Sequence, residues 1–323
     1  MSTNTRSVLR YPGSKARFVG LIEESIRRNK LAVEVFAEPF CGGASVSIAL
    51  LEKGIVQSIA LNDADPLIAH LWDTIFSVHS DWLAEQVMAV PLTIEEWRRQ
   101  KALEPSSPRE AALKGLYLNR TSFNGILHKA GPLGGWGQEK RQVGVRFNRE
   151  KLATRIRELA QFSDRVVAVS CNDWRAFCER IQRDFSAFFY FDPPYYHKAD
   201  ALYGYYFNEA EHEELRDYLA RLEEPWMLSY DDAPEIRELY DFKSTFVPRV
   251  VVDSTYSTHP VGGASFVGRE LFFTNLKRLP KPEDSDAPHI GLSIKKFSSK
   301  TKPTDDKGLT RIPFTAAAQQ RIA

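Results

Sequence analysis

The sequence predicts an α/β protein in which helices cover an open, mostly parallel sheet. Short apolar runs typical of buried strands alternate with helical periodicity in residues 1–67 and again after residue 162. The most apolar run, residues 188–191, stops just before two prolines, as a buried strand does where it leaves its sheet. A chain of 323 residues with 43% apolar residues can bury the core of one large or two smaller domains.

The first part of the chain predicts two strands joined by a glycine turn and a helix. Ser14 is placed to cap an initial amphipathic helix. Residues 33–37 then predict a strand, residues 38–43 a tight turn and residues 44–52 a helix. A second strand, residues 56–61, ends in an acidic turn.

The α/β alternation stops near residue 68 and resumes near residue 163. Helical patterns fill the interval, one of them beginning after a Thr93 cap. From residue 280 onward, proline, lysine, serine and aspartate dominate and apolar periodicity ends. The predicted units are an α/β domain of residues 1–67 and 163–279, an inserted helical domain of residues 68–162, and a flexible tail of residues 280–323.

The second α/β part continues the same alternation around the most apolar strand. Asn172-Asp173-Trp174 begin the helix that leads to that strand. The other predicted elements are strands at residues 165–170, 226–230, 245–252 and 270–275, and helices at residues 209–222 and 234–240.

The turn after the central strand, Asp192-Pro193-Pro194-Tyr195, suits chemistry on the amino group of a nucleobase. Such a nitrogen is a poor nucleophile because its lone pair is delocalised into the ring. Asp192 and the Pro193 carbonyl could accept both amino hydrogens and favour a tetrahedral, attacking nitrogen. Tyr195 could stack on a base flipped out of a duplex. A strand that simply ends in an aspartate and a proline turn is also common, so the tetrapeptide alone does not decide.

The glycine turn and the acid after the second strand indicate a cofactor without phosphates. Glu38 would face the phosphates of a dinucleotide, and the full G-x-G-x-x-G pattern is missing. S-adenosylmethionine fits better, because its sulfonium and ammonium groups suit Glu38 and its ribose hydroxyls suit Asp63. Asp63 is explained equally well as an ordinary turn residue. Asp173 could accept a hydrogen bond from the cofactor's adenine amino group or cap a helix.

Five motifs follow one another along the chain. They are Arg10-Tyr11-Pro12-Gly13-Ser14-Lys15, Glu38-Pro39-Phe40-Cys41-Gly42-Gly43, Asn62-Asp63, Tyr117-Leu118-Asn119-Arg120 through Asn124-Gly125, and Asp192-Pro193-Pro194-Tyr195. In this order they resemble the adenine-specific DNA methyltransferases of the DNA adenine methylase (Dam) type, from about residue 9 to about residue 276. Two positions depart from that pattern: Tyr11, where Trp is frequent, and Cys41, where a small aliphatic residue is usual.

The resemblance implies a Rossmann-like, S-adenosylmethionine-dependent methyltransferase fold with an inserted helical DNA-recognition domain. It implies methyl transfer to the N6 amino group of adenine in a specific sequence of double-stranded DNA, with no metal. The implied catalytic residues are Asp192, Pro193, Pro194 and Tyr195. Tyr11, Lys15, Asp63 and Asp192 match the family's cofactor contacts, and with Glu38, Pro39, Phe40, Gly42 and Asp173 they form the predicted cofactor-binding set.

The insert carries an uneven distribution of charge. Ten Lys or Arg residues and only two acids lie between Lys114 and Arg157, around a glycine-rich loop at residues 123–147. Such an imbalance is usually a solvated face, but beside a base-modifying site it favours phosphate and base-edge contacts. The connection at residues 253–269 is a second DNA-facing candidate. The predicted DNA contacts are Arg120, Asn124, Lys140, Arg141 and Arg149.

Several alternatives stay open on the sequence alone. Methylation of the cytosine amino group faces the same poor nucleophile, although Ser often opens that motif. An RNA or protein-glutamine methyltransferase could use a similar turn, but glutamine enzymes usually have Asn in place of Asp192. A catalytically inactive DNA-binding module is the non-enzyme alternative, and intact Asp192, Lys15 and Asp63 speak against it. Methylation of a cytosine carbon needs a nucleophilic thiolate, and no cysteine follows a proline in such a loop.

We expect a cytoplasmic monomer. The first residues contain no apolar signal core, and no apolar run approaches the roughly 20 residues that a membrane span needs. Three cysteines without metal-ligand spacing predict neither a disulfide framework nor a metal site.

Overall fold

A computed structural model of the chain describes residues 7–10, 14–139, 141–197, 206–240, 249–256, 266–281, 284 and 293–296. Its strands are β1 (Val35–Glu38), β2 (Ser58–Asn62), β3 (Val166–Ser170), β4 (Ala187–Phe191), β5 (Trp226–Asp231), β6 (Arg249–Tyr256), β7 (Phe266–Thr274) and β8 (Ser293–Lys296). Its helices are α1 (Val19–Arg28), α2 (Ser45–Glu52), α3 (Pro66–Ile75), α4 (Ser80–Ala89), α5 (Ile94–Ala102), α6 (Pro108–Thr121), α7 (Arg149–Ala160), α8 (Trp174–Asp184), α9 (Glu209–Leu219) and α10 (Pro234–Leu239).

The strands form one sheet in the order β3-β2-β1-β4-β5-β7-β6-β8. Strands β1 to β5 run parallel to one another. Strand β7 pairs antiparallel with β5 and with β6, and β6 pairs antiparallel with β8. The chain runs outward from β1 to β3 on one side and outward from β4 on the other, so β1 and β4 adjoin at a switch point. Ligands of open α/β sheets bind at the carboxyl ends of strands at such a point. The predicted α/β fold is confirmed, and it is consistent with an S-adenosylmethionine-dependent methyltransferase.

The core lies on both faces of this sheet. Because side chains alternate along a strand, Phe36, Phe188 and Tyr190 lie in one buried apolar cluster, and Phe189 and Phe191 lie in the other. Helices α1 to α3 cover the first face, and α8 to α10 cover the second. The central strand β4 is buried along its whole length, as its unbroken apolar run predicts.

Local signals explain where several helices begin. The predicted cap Ser14 accepts a hydrogen bond from Ala16 N at the start of a short 3-10 turn, Lys15–Phe18. The predicted cap Thr93 likewise accepts from Glu96 N at 3.2 Å. Both capping predictions are confirmed.

Helices α4 to α7 lie between β2 and β3 in the sequence and occupy the predicted insert. Their buried side chains, including Leu83, Trp97, Leu116 and Ile156, belong to the same apolar cluster as the helices on the first face of the sheet. The predicted start of the insert at residue 68 falls inside α3. The described helices therefore extend one core, and a separate domain stays a prediction.

The end of the chain departs from the sequence-based expectation. The predicted tail at residues 280–323 contains β8, which pairs antiparallel with β6, so residues 293–296 are part of the sheet. Strand β7 is longer than predicted and β6 continues past the predicted end at residue 252, so their pairing extends to Tyr256 and Phe266. The loop that would complete the predicted second DNA-facing hairpin, residues 257–265, lies outside the described residues. Where the chain is described, no helix is both long and apolar enough to cross a membrane.

Candidate active site

The Asp192-Pro193-Pro194-Tyr195 turn lies at the carboxyl end of β4, beside the switch point. Asp192 Oδ1 accepts a hydrogen bond from Ser229 Oγ at 2.9 Å and pairs with Lys15 Nζ at 3.0 Å. Ser229, on β5, is in turn hydrogen-bonded to the Tyr190 hydroxyl at 2.9 Å. The Asp192 side chain remains 23% exposed. It is therefore held on one oxygen and still open to a neighbouring group.

Burial and neighbouring charges set the protonation of this pair. Burial raises the pKa of Asp192 to about 6, while Lys15 acts to lower it. Burial alone would lower the pKa of the Lys15 ammonium, but the negative charges of Asp192 and Glu270 outweigh burial and raise it. Lys15 is only 4% exposed, so Asp192 has a fixed, buried cation as its partner.

The turn opens onto a cavity of about 300 Å³ along the carboxyl ends of the parallel strands. Eight of the nine predicted cofactor contacts line this cavity: Lys15, Glu38, Pro39, Phe40, Gly42, Asp63, Asp173 and Asp192. The ninth, Tyr11, lies outside the described residues. The predicted catalytic residues Pro193, Pro194 and Tyr195 also line it. Motifs far apart in the sequence thus meet at one site.

Glu38 lies at the end of β1 and beneath the first turn of α2. Its Oε1 accepts hydrogen bonds from Ser47 N at 2.7 Å and from Ser47 Oγ at 2.6 Å. Ala44, the residue at the cap position of α2, makes no side-chain capping bond. Glu38 therefore caps this helix from the neighbouring strand. Burial raises its pKa to about 8, although the bonds from Ser47 oppose the rise.

Asp63 follows β2 and connects the end of this strand to the glycine turn through hydrogen bonds. Its Oδ2 accepts from Gly42 N at 2.8 Å, and its Oδ1 accepts from Asp65 N at 2.9 Å. Gly42 has φ 43°, a left-handed conformation that glycine adopts without strain. Burial, followed by the nearby charge of Asp65, raises the pKa of Asp63 to about 7. Each carboxylate oxygen can still accept a further hydrogen bond.

Asp173 lies at the start of α8, across the cavity. Its carboxylate caps the helix through Arg175 N at 2.9 Å and pairs with the Arg175 guanidinium. The predicted helix-cap role is confirmed, and 51% exposure leaves the side chain accessible for a second role. Beside it, Phe40, Trp174 and Phe207 give the cavity an aromatic wall.

Sequence reasoning missed several residues of this site. Ser229 lies within the apolar strand β5 and Glu270 lies within β7, so neither residue differs in its local pattern from an ordinary strand residue. Leu127 and His128 line the cavity from the insert loop, and His128 Nε2 lies 2.6 Å from Asp65 Oδ2. Among the described residues, no group of three or more His, Cys, Asp or Glu side chains could hold a metal ion.

A family model for D12 class N6 adenine-specific DNA methyltransferases matches residues 11–256, about three quarters of the 323-residue chain. The chain belongs to this family. It is an S-adenosylmethionine-dependent enzyme that methylates the N6 amino group of adenine in DNA. The predicted family and activity are confirmed, and the cytosine, RNA, protein and inactive alternatives are not supported. A search of curated proteins found no match.

The predicted DNA contacts of this D12 class methyltransferase differ in their surroundings. Arg149 donates to the main-chain carbonyls of Val87, Met88 and Val90, which end α4. Arg120 donates to the Val8 carbonyl. These contacts favour a structural role for both arginines over the predicted DNA contact.

The remaining predicted DNA contacts lie in the insert loop. Arg141 is exposed, and Lys140 lies outside the described residues. Asn124 is exposed and has φ 54°, a left-handed conformation that is typical of a tight turn. Two aromatic side chains of the same loop are also exposed, Phe123 at 58% and Trp136 at 46%.

Proposed function

We propose that the cavity at the carboxyl edge binds S-adenosylmethionine and that the Asp192 turn receives an adenine flipped out of double-stranded DNA. The observation that carries this proposal is the meeting of eight predicted cofactor contacts and the catalytic turn in one cavity. The family identity gives the reaction, and the cavity supplies a place for it.

The residues present fit the chemical groups of the cofactor. Asp63 can accept hydrogen bonds from the ribose hydroxyls on lone pairs that Gly42 and Asp65 do not use. Glu38 offers a carboxylate to a positive group, since a bound cation would favour its ionised form. Asp173 would accept from the adenine amino group, against the aromatic wall.

Asp192 and the Pro193 carbonyl orient the target nitrogen. Lys15 and Ser229 both contact Asp192 Oδ1, so Oδ2 is the oxygen that would accept a hydrogen bond from the amino group of the adenine. Accepting both amino hydrogens makes the nitrogen lone pair available along one direction, and Tyr195 stacks on the base. When bound, the cofactor supplies an electrophilic methyl group on its sulfonium. Attack of the adenine nitrogen on this methyl group would form the nitrogen–carbon bond as the carbon–sulfur bond breaks, with the electron pair left on sulfur. The step needs no covalent enzyme intermediate, and the nitrogen loses its proton afterwards.

The insert loop would contact the DNA around the flipped base. Arg141 and Lys140 suit phosphate contacts, because lysine and arginine on an exposed loop neutralise phosphates. Asn124 suits base-edge reading, because asparagine can bind adenine through two hydrogen bonds. Phe123 and Trp136 are large exposed rings that could stack where a base has left the duplex.

A single chain supplies all of these groups, so the proposal includes a monomeric enzyme. It also includes the predicted cytoplasmic location, where the DNA of a bacterial cell or of an infecting phage would be accessible.

A methyl-transfer assay tests this function directly. Labelled S-adenosylmethionine is mixed with adenine-containing duplex DNA, and the product is analysed for N6-methyladenine. The same duplex with every adenine already methylated at N6 is the control substrate. Calorimetric titration of the cofactor into the parent, Asp63→Ala and the remote surface variant Asp184→Ala tests the cavity. Equal cofactor affinity in all three proteins would contradict the proposed binding site.

A further inference from the structure

A second buried carboxylate, Glu270, faces the catalytic turn from the antiparallel strand β7. Glu270 is 1% exposed and lies opposite Asp231 of β5 and Val252 of β6 in the sheet. Its Oε1 accepts a hydrogen bond from the Tyr195 hydroxyl at 3.1 Å and lies 3.5 Å from Lys15 Nζ. It therefore contacts two groups of the proposed site from a strand outside the parallel part of the sheet.

These contacts join into a closed arrangement. Lys15 Nζ lies 3.0 Å from Asp192 Oδ1 and 3.0 Å from the Tyr195 hydroxyl oxygen. The same Nζ lies over the Tyr195 ring, 4.7 Å from the ring centroid. One ammonium group thus bridges two carboxylates. Lys15 therefore contacts both the first and the last residue of the Asp192–Tyr195 turn. Glu270 contacts Lys15 and Tyr195 at the same time.

Stability alone is a weak reason for this arrangement. A buried ion pair is often no more stabilising than apolar side chains of the same volume, because both charges lose their hydration. The position of Glu270 is better explained by its effect on Lys15 and Tyr195.

We propose that Glu270 is a positioning residue for methyl transfer, which holds Lys15 against Asp192 and fixes the ring of Tyr195 for stacking on the target base. This proposal rests on the roles proposed above for Asp192 and Tyr195. Glu270 touches neither the base nor the cofactor in this assignment, and acts through its two neighbours.

The charge of Glu270 also acts on Asp192. Burial is the largest cause that raises the pKa of Asp192, Lys15 opposes it, and Glu270 adds to it. Within the described part of the chain, the other titratable groups that interact with Asp192 are Glu38 on β1, Tyr190 on β4 and Tyr230 on β5. Removing the Glu270 charge therefore lowers the pKa of Asp192. Because Asp192 acts in its ionised form, the acid limb of the pH–rate profile should move to lower pH.

The test compares Glu270→Gln, Glu270→Asp and the exposed control Glu238→Gln, using labelled cofactor and duplex DNA over a range of pH. We expect Glu270→Gln to lower kcat about tenfold or more, with the cofactor KM within about threefold of the parent. Its acid limb should shift to lower pH, and Glu270→Asp should recover part of kcat. Glu238→Gln should behave as the parent.

Tyr195→Phe provides a second variant, because it keeps the ring and the Glu270 carboxylate and removes only the hydroxyl between them. We expect it to lower kcat while DNA affinity is kept. Parent-like kcat and an unmoved acid limb in Glu270→Gln, or a fall in kcat that only follows the folded fraction, would overturn the inference. If Glu270→Gln does not fold, parent-like kcat in Tyr195→Phe overturns it. Full activity in Asp192→Ala would instead contradict the proposed function on which this inference rests.

Discussion

The catalytic turn and the insert loop both contain charged residues that the sequence singles out, but their charges have different surroundings. At the turn, Lys15 is 4% exposed and each of its partners is another side chain of the site. In the insert, Arg120 donates to the main-chain carbonyl of Val8 and Arg149 donates to the carbonyls at the end of α4. A count of charged residues along a segment therefore does not show which of them keep a side chain available for DNA.

The physical reason lies in the cost of burial. A buried ammonium requires specific partners, so the site around Lys15 is determined by its neighbours. An arginine on a half-buried helix can satisfy either a carbonyl or a phosphate, because its guanidinium group has five donors in a planar fork. The sequence does not distinguish these two uses.

The largest expected effect is that of Asp192→Ala on methylation. The substitution removes the acceptor that orients the adenine amino group, so kcat should fall by about 10³-fold or more. Lys15 keeps Glu270 as its counter-charge, so the fold should survive. Single-turnover methyl transfer and duplex binding would be measured together.

Asp192→Asn is the matched control, because it keeps the shape of the side chain and an acceptor oxygen while it loses the charge. It should retain more activity than Asp192→Ala. Activity of Asp192→Ala within tenfold of the parent would show that the turn is not the catalytic centre.

The second effect concerns cofactor binding. Asp63→Ala should raise the cofactor KM about tenfold or more, because a lost ribose contact removes binding shared by the ground and transition states. Its kcat at saturating cofactor should change much less. An unchanged KM would return Asp63 to the role of fastening the glycine turn.

Cofactor affinity should also depend on pH. The pKa of Glu38 is about 8 and that of Asp63 is about 7 in the free enzyme, so both are partly protonated at neutral pH. A bound cation favours the ionised form of Glu38, and hydrogen bonds from the ribose hydroxyls favour the ionised form of Asp63. Binding should therefore release protons, and affinity should rise as pH increases from about 6 to about 8. Calorimetry in buffers of different ionisation enthalpy measures the release. Proton uptake on binding would contradict it.

The sequence predicts the α/β alternation and the central strand, because buried strands, prolines and capping residues leave strong local signals. Eleven of the residues that line the cavity are predicted, several of them from the resemblance of the ordered motifs to a known family. The sequence misses Ser229 and Glu270, since a single polar residue at a buried strand position has no local signature. It also misses β8, whose pairing with β6 depends on a distant strand rather than on its own composition. Long-range pairing is the part that local patterns do not encode.

A smaller effect is expected for base reading in the insert loop. Asn124 has φ 54°, so Asn124→Gly removes the side chain without the backbone strain that alanine would add. The variant should narrow the affinity gap between target and scrambled duplexes by about 1–3 kcal/mol. Equal loss of affinity for both duplexes would make Asn124 a general contact instead.

The smallest expected effect separates the two kinds of arginine. Arg141→Ala should reduce the slope of log affinity against log salt by about 0.9, because one phosphate contact is lost, and it should leave stability unchanged. Arg149→Ala should keep that slope and lower the free energy of unfolding by about 1–3 kcal/mol, because the carbonyls that end α4 lose their donor. Titrations at several salt concentrations, beside denaturant unfolding of both variants, measure the two effects on matched proteins. If Arg149→Ala flattened the salt dependence as much as Arg141→Ala, the Arg149 guanidinium group would have to leave the carbonyls of α4 and bind phosphate in the complex with DNA. Arg149 and Arg141 would then both be DNA contacts, and the contrast between a structural arginine and a DNA-binding arginine would be wrong.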